Sequence, residues 1–375
     1  MSTATKKKVR FYFADGLRGI AATWVVLFHI HAGGHLSNLN DFLPAFVTTV
    51  LFEWGHLGVP IFFVLSGFVT AHTLRNTQMS WSFFQNFSLR RIIRLSPPYY
   101  FSIVFVLLFK LLSARATGEL LELPSLSGLF AHLFYLQDIF SIKPISDIYW
   151  TLCLEMQFYA VFCVLLGLSQ YLERKFELVY SRPLVFGFSL LVGALWPLKI
   201  IQGNVWPGLF LPTWHGFALG AFAYWAWQQR GHYRHLFYGY AGLLVVSTLI
   251  GQVNSPETGV FMADATLTCV VVGILLLEIG KADLMQSALN WQWLQFLALV
   301  SYSLYLLHNE ISGAAFFILY KVVGHTLIAE LLGFVAIFGL CVGCATAAYW
   351  LLEKPSIGWS RQVKQVTPSS KPVGL

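Results

Sequence analysis

The stretch GLRGIAATWVVLFHIH, residues 16–31, decides how the rest of the chain is read. It is apolar enough to form most of a membrane-spanning helix, yet it carries Arg18 near one end and His29 and His31 toward the other. A charged side chain at the centre of a span costs about 2.5–3.5 kcal/mol on insertion scales. Arg18 and His29 are eleven residues apart. At about 100° per residue that spacing is roughly 20° beyond three full turns, so the two share one helix face. A rise of about 1.5 Å per residue separates them by roughly 16 Å along the axis. Arg18 therefore falls near one membrane surface and His29 past the midplane toward the other. Each alone fits a bland role, a snorkelling arginine or a histidine bonded to a neighbouring helix; together they mark two depths on one face.

Composition supports the membrane reading. Of 375 residues, 57% are hydrophobic and 11% charged, and the mean hydropathy is +0.66. A soluble domain carries about 25% charged residues. Apolar runs recur from residue 17 to residue 352 with no soluble block between them. This implies one polytopic transmembrane domain over 14–355, a basic segment at 1–13 and a polar tail at 356–375 whose end, QVTPSSKPVGL, reads as disordered. The net charge of +7 is what cytoplasmic loops rich in Lys and Arg produce, and it does not call for nucleic acid. No small-residue cleavage site follows the basic start, so the first apolar run is an uncleaved helix. All five cysteines, Cys153, Cys163, Cys269, Cys341 and Cys344, fall inside apolar runs. A disulfide framework is thereby disfavoured, and the Cys341–Cys344 pair has no His or acidic neighbours that would make it a metal site.

Runs of spanning length at 17–36, 46–74, 97–113, 151–169, 183–201, 207–228, 234–252, 259–279, 294–317 and 326–352 predict an all-α bundle of about ten transmembrane helices. The segment 126–140 is short and carries His132 and Asp138. If it does not cross and both termini are cytoplasmic, all but five of the 24 Lys and Arg lie inside; Lys110, Arg115, Lys143, Lys199 and Lys321 are the exceptions. If it does cross, Arg174, Lys175, Arg182, Arg230 and Arg234 move partly or wholly to the wrong face. The segment 126–140 is therefore expected to be an outer interfacial or re-entrant helix packed on protein.

Other polar groups recur in these spans. In SLRRIIRLSPPYY, residues 88–100, Arg90, Arg91 and Arg94 cluster on the cytoplasmic side, with Pro97 and Pro98 expected at the start of the third span. Arg91 and Arg94 share a face that suits a polyphosphate, although positive-inside charge or anionic lipid would also account for them. In DIYWTLCLEMQFY, residues 147–159, Glu155 lies about one turn inside the outer end of the fourth span, beside the aromatic Tyr149 and Trp150. His215 in LPTWHGF and His308 in SYSLYLLHNE add two imidazoles in the outer half. Four buried ionisable groups at one depth, His29, Glu155, His215 and His308, favour a polar cavity over separate accidents.

In this order the motifs resemble the membrane-bound acyltransferase-3 family, ten-helix enzymes that O-acylate sugars and other hydroxyl acceptors. The resemblance spans nearly the whole chain: DGLRGIAATWVVLFHIH, GHLGVPIFFVLSGF at 55–68, RRIIRLSPPYY, WTLCLEMQFY, FALGAFA at 217–223, SYSLYLLH and YWLLEKP at 349–355. It implies a cytoplasmic acyl-CoA donor, by default acetyl-CoA, with Arg18 and His29 as the signature pair and Arg91 and Arg94 as a second motif. It also implies a glycan or glycolipid acceptor at the outer side, a setting among membrane lipids and, for such a chain, the bacterial inner membrane. Where the family often has Arg ahead of FxLG, this chain has Trp214 and His215. Because the chain ends soon after the last span, transfer to the acceptor is expected within the membrane domain itself.

A hydroxyl acceptor needs a base with a near-neutral pKa, which histidine supplies. The expected roles are His29 as general base, Glu155 orienting an imidazole or contacting the acceptor, and Arg18, Arg90, Arg91 and Arg94 holding the donor phosphates. Ser66, Tyr149, Trp150, His215, Tyr302 and His308 are expected as supporting or acceptor-binding groups. An acyl-enzyme through His29 or Ser66 stays open, as does a role for His308 as second base or support. A proton-coupled transporter or flippase is the rival from another class, though the chain lacks the internal repeats such folds show; a lipid or sterol sensor is a third. The sequence sets no oligomeric state.

Overall fold

The computed structural model describes residues 9–118, 120–203, 205–229, 231–254 and 260–363. Lys6, Lys7, Lys8, Arg230 and the end of the tail from 364 lie outside the described residues.

The apolar runs become helices, and among the described residues there is no strand. In chain order they are α1 (Tyr12–Ala32), α2 (Ser37–Phe42), α3 (Ala45–Leu51), α4 (Gly58–Thr73), α5 (Trp81–Thr117), α6 (Leu126–Leu133), α7 (Trp150–Phe176) and α8 (Ser181–Ala194). The second half holds α9 (Trp214–Gln228), α10 (His232–Asn254), α11 (Val260–Lys281), α12 (Gln292–Val323), α13 (Leu327–Ala348) and α14 (Lys354–Gln362). A turn of π-helix, Tyr349–Glu353, joins α13 to α14.

Among the described residues, six helical segments are long and apolar enough to cross a membrane: Tyr12–Ala32, Ala45–Thr73, Trp81–Thr117, Trp150–Phe176, Met262–Lys281 and Leu327–Gln362. That is fewer than the ten read from the sequence. The other four apolar runs do form helices, but α8 has 14 residues and α9 has 15. At about 1.5 Å per residue neither reaches the roughly 30 Å of a hydrocarbon core. α12 is longer but carries His308, Asn309 and Glu310 in mid-helix, and the last side chains of α10 lie outside the described residues. Large aliphatic and aromatic side chains such as Val104, Phe188, Leu332 and Val335 stand outward, as on a lipid-facing surface.

Packing is closest where side chains are absent. α1 lies along α12, and α4 along α9. A Cβ on Gly67 would fall 1.8 Å from the Phe217 carbonyl oxygen, and one on Gly220 would fall 1.8 Å from that of Val64. The α4–α9 crossing is thus a mutual backbone contact that only glycine permits.

The segment after α5 does not cross: α6 has eight residues, starts at a Ser125 cap accepting from Gly128 N at 3.1 Å, and gives way to turns before α7. His132 anchors those turns. Its Nδ1–H donates to the Gly128 carbonyl at 2.8 Å, and the Ile145 N–H donates to its Nε2 at 3.1 Å.

α5 corrects one expectation. Pro97 and Pro98 do not start a helix but sit inside an unbroken one of 37 residues. A proline has no N–H for the carbonyl four residues back, so Pro98 leaves the Arg94 oxygen without its helical partner. The Ser356 hydroxyl of α14 donates to that oxygen at 2.9 Å. The same junction holds the π-turn against α5.

Candidate active site

α1 is continuous from Tyr12 to Ala32, so Arg18 and His29 keep the shared face and the separation of roughly 16 Å that its pitch dictates. They define two polar regions.

At the Arg18 end, three arginines from two helices converge. Arg94 lies within electrostatic reach of Arg91 and Arg18, which repel it, and of Glu353, which attracts it. Glu353 in turn feels Arg94 and Arg18. Arg94 is exposed although the next two residues, Leu95 and Ser96, are buried. Its guanidinium makes no hydrogen bond or ion pair among the described residues, so five donors are open to a ligand. Arg18 touches Asp15 at 3.5 Å. Arg91 donates to the Tyr159 hydroxyl at 3.2 Å and lies 4.2 Å from the centre of that ring. Arg90 points elsewhere: its Nε donates to the Ser360 carbonyl of α14 at 3.0 Å, which makes it a tie between helices.

Glu155 belongs to the arginine region. Its Oε1 accepts from the Ser66 hydroxyl at 3.1 Å and from the Tyr159 hydroxyl, which also takes the Arg91 bond. A chain of contacts therefore runs Ser66–Glu155–Tyr159–Arg91 across α4, α7 and α5. Tyr302 donates to the Leu95 carbonyl at 2.8 Å on the same stretch of α5.

At the other end of α1, His29 is half-buried and meets His308, which is fully buried on α12. The His308 Nε2 and His29 Nδ1 are 3.2 Å apart. The charge of Asp147, just ahead of α7, also bears on His29.

Of the four groups read as sharing one depth, the structure thus joins only the pair His29–His308. His215 makes its own contacts: Nδ1 donates to the Pro212 carbonyl at 3.0 Å, and the Thr266 hydroxyl lies 3.3 Å from Nε2. It lines a cavity of about 30 Å³ with Trp150 and Phe63, room for about one water. Tyr149 is buried and bonded to the Ser102 hydroxyl at 2.9 Å, with its ring 4.9 Å from that of Tyr99, so it packs α7 on α5 and does not sit in a membrane belt.

Two groups escaped the sequence reading. Glu353 is 6% exposed, accepts from the Ser303 hydroxyl at 2.8 Å and places a carboxyl group within electrostatic reach of Arg18 and Arg94. Tyr159 links Glu155 to Arg91. Glu353 had a signal in the motif YWLLEKP: a carboxylate inside an apolar run is costly unless it has partners. Its π-helical setting, common at functional sites, had none.

Comparison with known proteins identifies a family. The profile described as an acyltransferase domain, that of the acyltransferase-3 family, matches residues 11–350. A curated relative from Bacillus subtilis (strain 168), named "Putative peptidoglycan O-acetyltransferase YrhL", is 23% identical over 378 aligned residues. The alignment covers 84% of this chain and 52% of the relative, so the chain spans about half the relative's length. No solved structure matches the chain. With a family match across both polar regions and the helices that carry them, the chain belongs to the acyltransferase-3 family of O-acyl-transferring enzymes.

Proposed function

We propose that the protein transfers an acetyl group from cytoplasmic acetyl-CoA to a hydroxyl of a cell-envelope glycan at the outer side of the membrane. The observation that carries this reading is the pairing of an open anion site with a histidine on one helix face, roughly 16 Å apart along α1. In this reading α8, α9, α10 and α12 complete the bundle with both termini cytoplasmic.

Arg94, Arg91 and Arg18 bind the donor's phosphates through charge-assisted hydrogen bonds, and the guanidinium fork of Arg94 suits bidentate contact. Glu155 and Tyr159 hold Arg91 from behind. The extended arm of the donor covers the distance to His29. There the imidazole accepts the hydroxyl proton as the acceptor oxygen attacks the thioester carbonyl. The carbon–sulfur bond breaks, and His29 returns the proton to the departing thiolate, so acetyl-CoA and alcohol become acetyl ester and CoA. Direct transfer is favoured over an acyl-Ser66 intermediate because the Ser66 hydroxyl is directed at Glu155 and, among the described residues, no imidazole is bonded to it. A glycan acceptor of the peptidoglycan class is supported by the relative's name.

The test is incubation of the purified protein with radiolabelled acetyl-CoA and peptidoglycan fragments. The reading predicts alkali-labile label on the glycan. No label on this or other surface glycans, with any acyl-CoA supplied, contradicts it.

A further inference from the structure

Hydrogen-bond polarity around the two histidines decides which nitrogen can act. The His308 Nδ1 faces two acceptors, the carbonyl oxygens of Leu304 at 3.0 Å and Tyr305 at 2.9 Å. A lone pair there would point at lone pairs, so Nδ1 carries the hydrogen and, in the neutral ring, Nε2 is the bare acceptor. That Nε2 lies 3.2 Å from His29 Nδ1. The same His29 nitrogen also faces the Val25 carbonyl at 2.9 Å. With one acceptor on each side, His29 Nδ1 must carry its hydrogen and share it between them. The ring's second nitrogen, Nε2, is left with a lone pair and no hydrogen-bond partner among the described residues.

We infer that His308 is a positioning residue: its Nε2, with the Val25 carbonyl, holds His29 in the Nδ1–H tautomer and fixes the direction of the ring, leaving His29 Nε2 as the nitrogen that receives the acceptor's proton. This deepens the general-base role proposed above and rests on it. The order of bonds is directional. Carbonyls at Leu304 and Tyr305 orient His308, and His308 orients His29. When the acceptor O–H bond breaks, its proton goes to His29 Nε2, and Nδ1–H keeps its bonds to Val25 and His308. The positive charge formed on His29 is then met by a lone pair and a carbonyl dipole, with Asp147 the carboxylate whose charge reaches the ring. The rings of Phe28 and His56 close another side of the pair, with centroids 5.1 Å between Phe28 and His29 and 5.6 Å between Phe28 and His56. A neutral imidazole thus takes the place that a carboxylate holds in a serine-protease triad. Position 308 is also braced from α13, where the Cys341 thiol lies 3.8 Å from the His308 carbonyl oxygen.

Two amide replacements separate this role from packing. In His308→Gln the side-chain oxygen reaches about as far as Nε2 and can accept from His29 Nδ1–H. In His308→Asn it stops about one bond short. The inference predicts that H308N lowers kcat about a hundredfold, the lower end of the range for general-base assistance, with KM for acetyl-CoA unchanged within twofold. H308Q is predicted to stay within about tenfold of the parent. Equal kcat in the two variants, a change confined to KM, or loss of labelled acetyl-CoA binding in both would show that His308 only packs, and would overturn the inference. Nitrogen-15 spectra of histidine-labelled parent protein give a readout that needs no turnover. They should show His29 protonated at Nδ1 and bare at Nε2, and the reverse tautomer would also overturn it. If the spectra show the expected tautomer while the parent protein turns over no acyl-CoA, it is the proposed function that fails, not the lock.

Discussion

The Ser356 hydroxyl on α14 shares its one hydrogen between the main-chain oxygen of Arg94 on α5, across 2.9 Å, and that of Glu353, across 2.8 Å. The Arg94 oxygen is free because Pro98, four residues on, has no N–H to offer. One hydrogen bond therefore repairs a proline defect and sets the turn from which Arg94 projects. Ser356→Ala leaves a part-buried carbonyl unsatisfied, at about 1–3 kcal/mol. Thermal unfolding in detergent should show the loss. KM for acetyl-CoA should rise severalfold, because the Arg94 turn is no longer held.

The three clustered arginines of α5 should not behave alike. Arg94 has an open guanidinium, whereas that of Arg90 is committed to the Ser360 carbonyl. Hydrogen bonds to charged groups contribute about 1.5–3 kcal/mol each, so Arg94→Ala should weaken acetyl-CoA binding by roughly 10–100-fold with kcat little changed. Arg90→Ala should cost stability and leave donor affinity near that of the parent. Equilibrium binding of labelled acetyl-CoA to both variants makes the comparison, and equal losses would mean that Arg90 also reaches the donor.

Gly67 and Gly220 should tolerate nothing larger. Alanine is the better helix former by about 1 kcal/mol, but its Cβ would sit 1.8 Å from a facing carbonyl oxygen at either position. The α4–α9 crossing would have to open. Gly67→Ala and Gly220→Ala should each fail to yield monodisperse protein by size-exclusion chromatography in detergent. Gly313→Ala, where a Cβ meets nothing within 4 Å, should behave as the parent.

How much of this was legible follows from distance along the chain. Arg18 and His29 belong to one helix, so the 3.6-residue period alone put them on a common face. His29 and His308 meet from helices 279 residues apart in sequence, and equal depth could not tell that contact from the ones His215 and Glu155 do not make. Glu155 was placed at the right helix end, but its partners, Ser66 and the Tyr159–Arg91 pair, draw it to the arginines. Pro97 and Pro98 misled because a proline inside a helix is costly unless something else satisfies the freed carbonyl, and Ser356 lies more than 250 residues away. Among the described residues six of the ten expected spans are long and apolar enough to cross, and an apolar run does not show where its helix stops: the run 183–201 ends its helix at Ala194.

The segment between α5 and α7 should be acid-labile. His132 is buried, with Nδ1–H donating to Gly128 and Nε2 accepting from Ile145. Burial lowers its pKa from the ordinary value, ahead of the opposing effects of the Gly128 bond and Asp138. A group that resists protonation when folded contributes its full share above its unfolded pKa, about 6.5. That share is lost as pH falls from there through the lowered folded value. Protonation also puts a hydrogen on Nε2 facing the Ile145 N–H. Stability measured from pH 8 down to about 4.5 should therefore fall in the parent. In His132→Gln, which does not titrate, the slope should be shallower.

The most direct test of the central claim is single-turnover acetyl transfer by His29→Gln beside the parent protein, with labelled acetyl-CoA bound to both beforehand. The account predicts equal donor affinity, because the arginines lie at the other end of α1, and transfer to the glycan slowed by at least a hundredfold, the loss of a general base. Transfer at the parent rate by the glutamine variant would show that this imidazole does not take the proton, and would contradict the account.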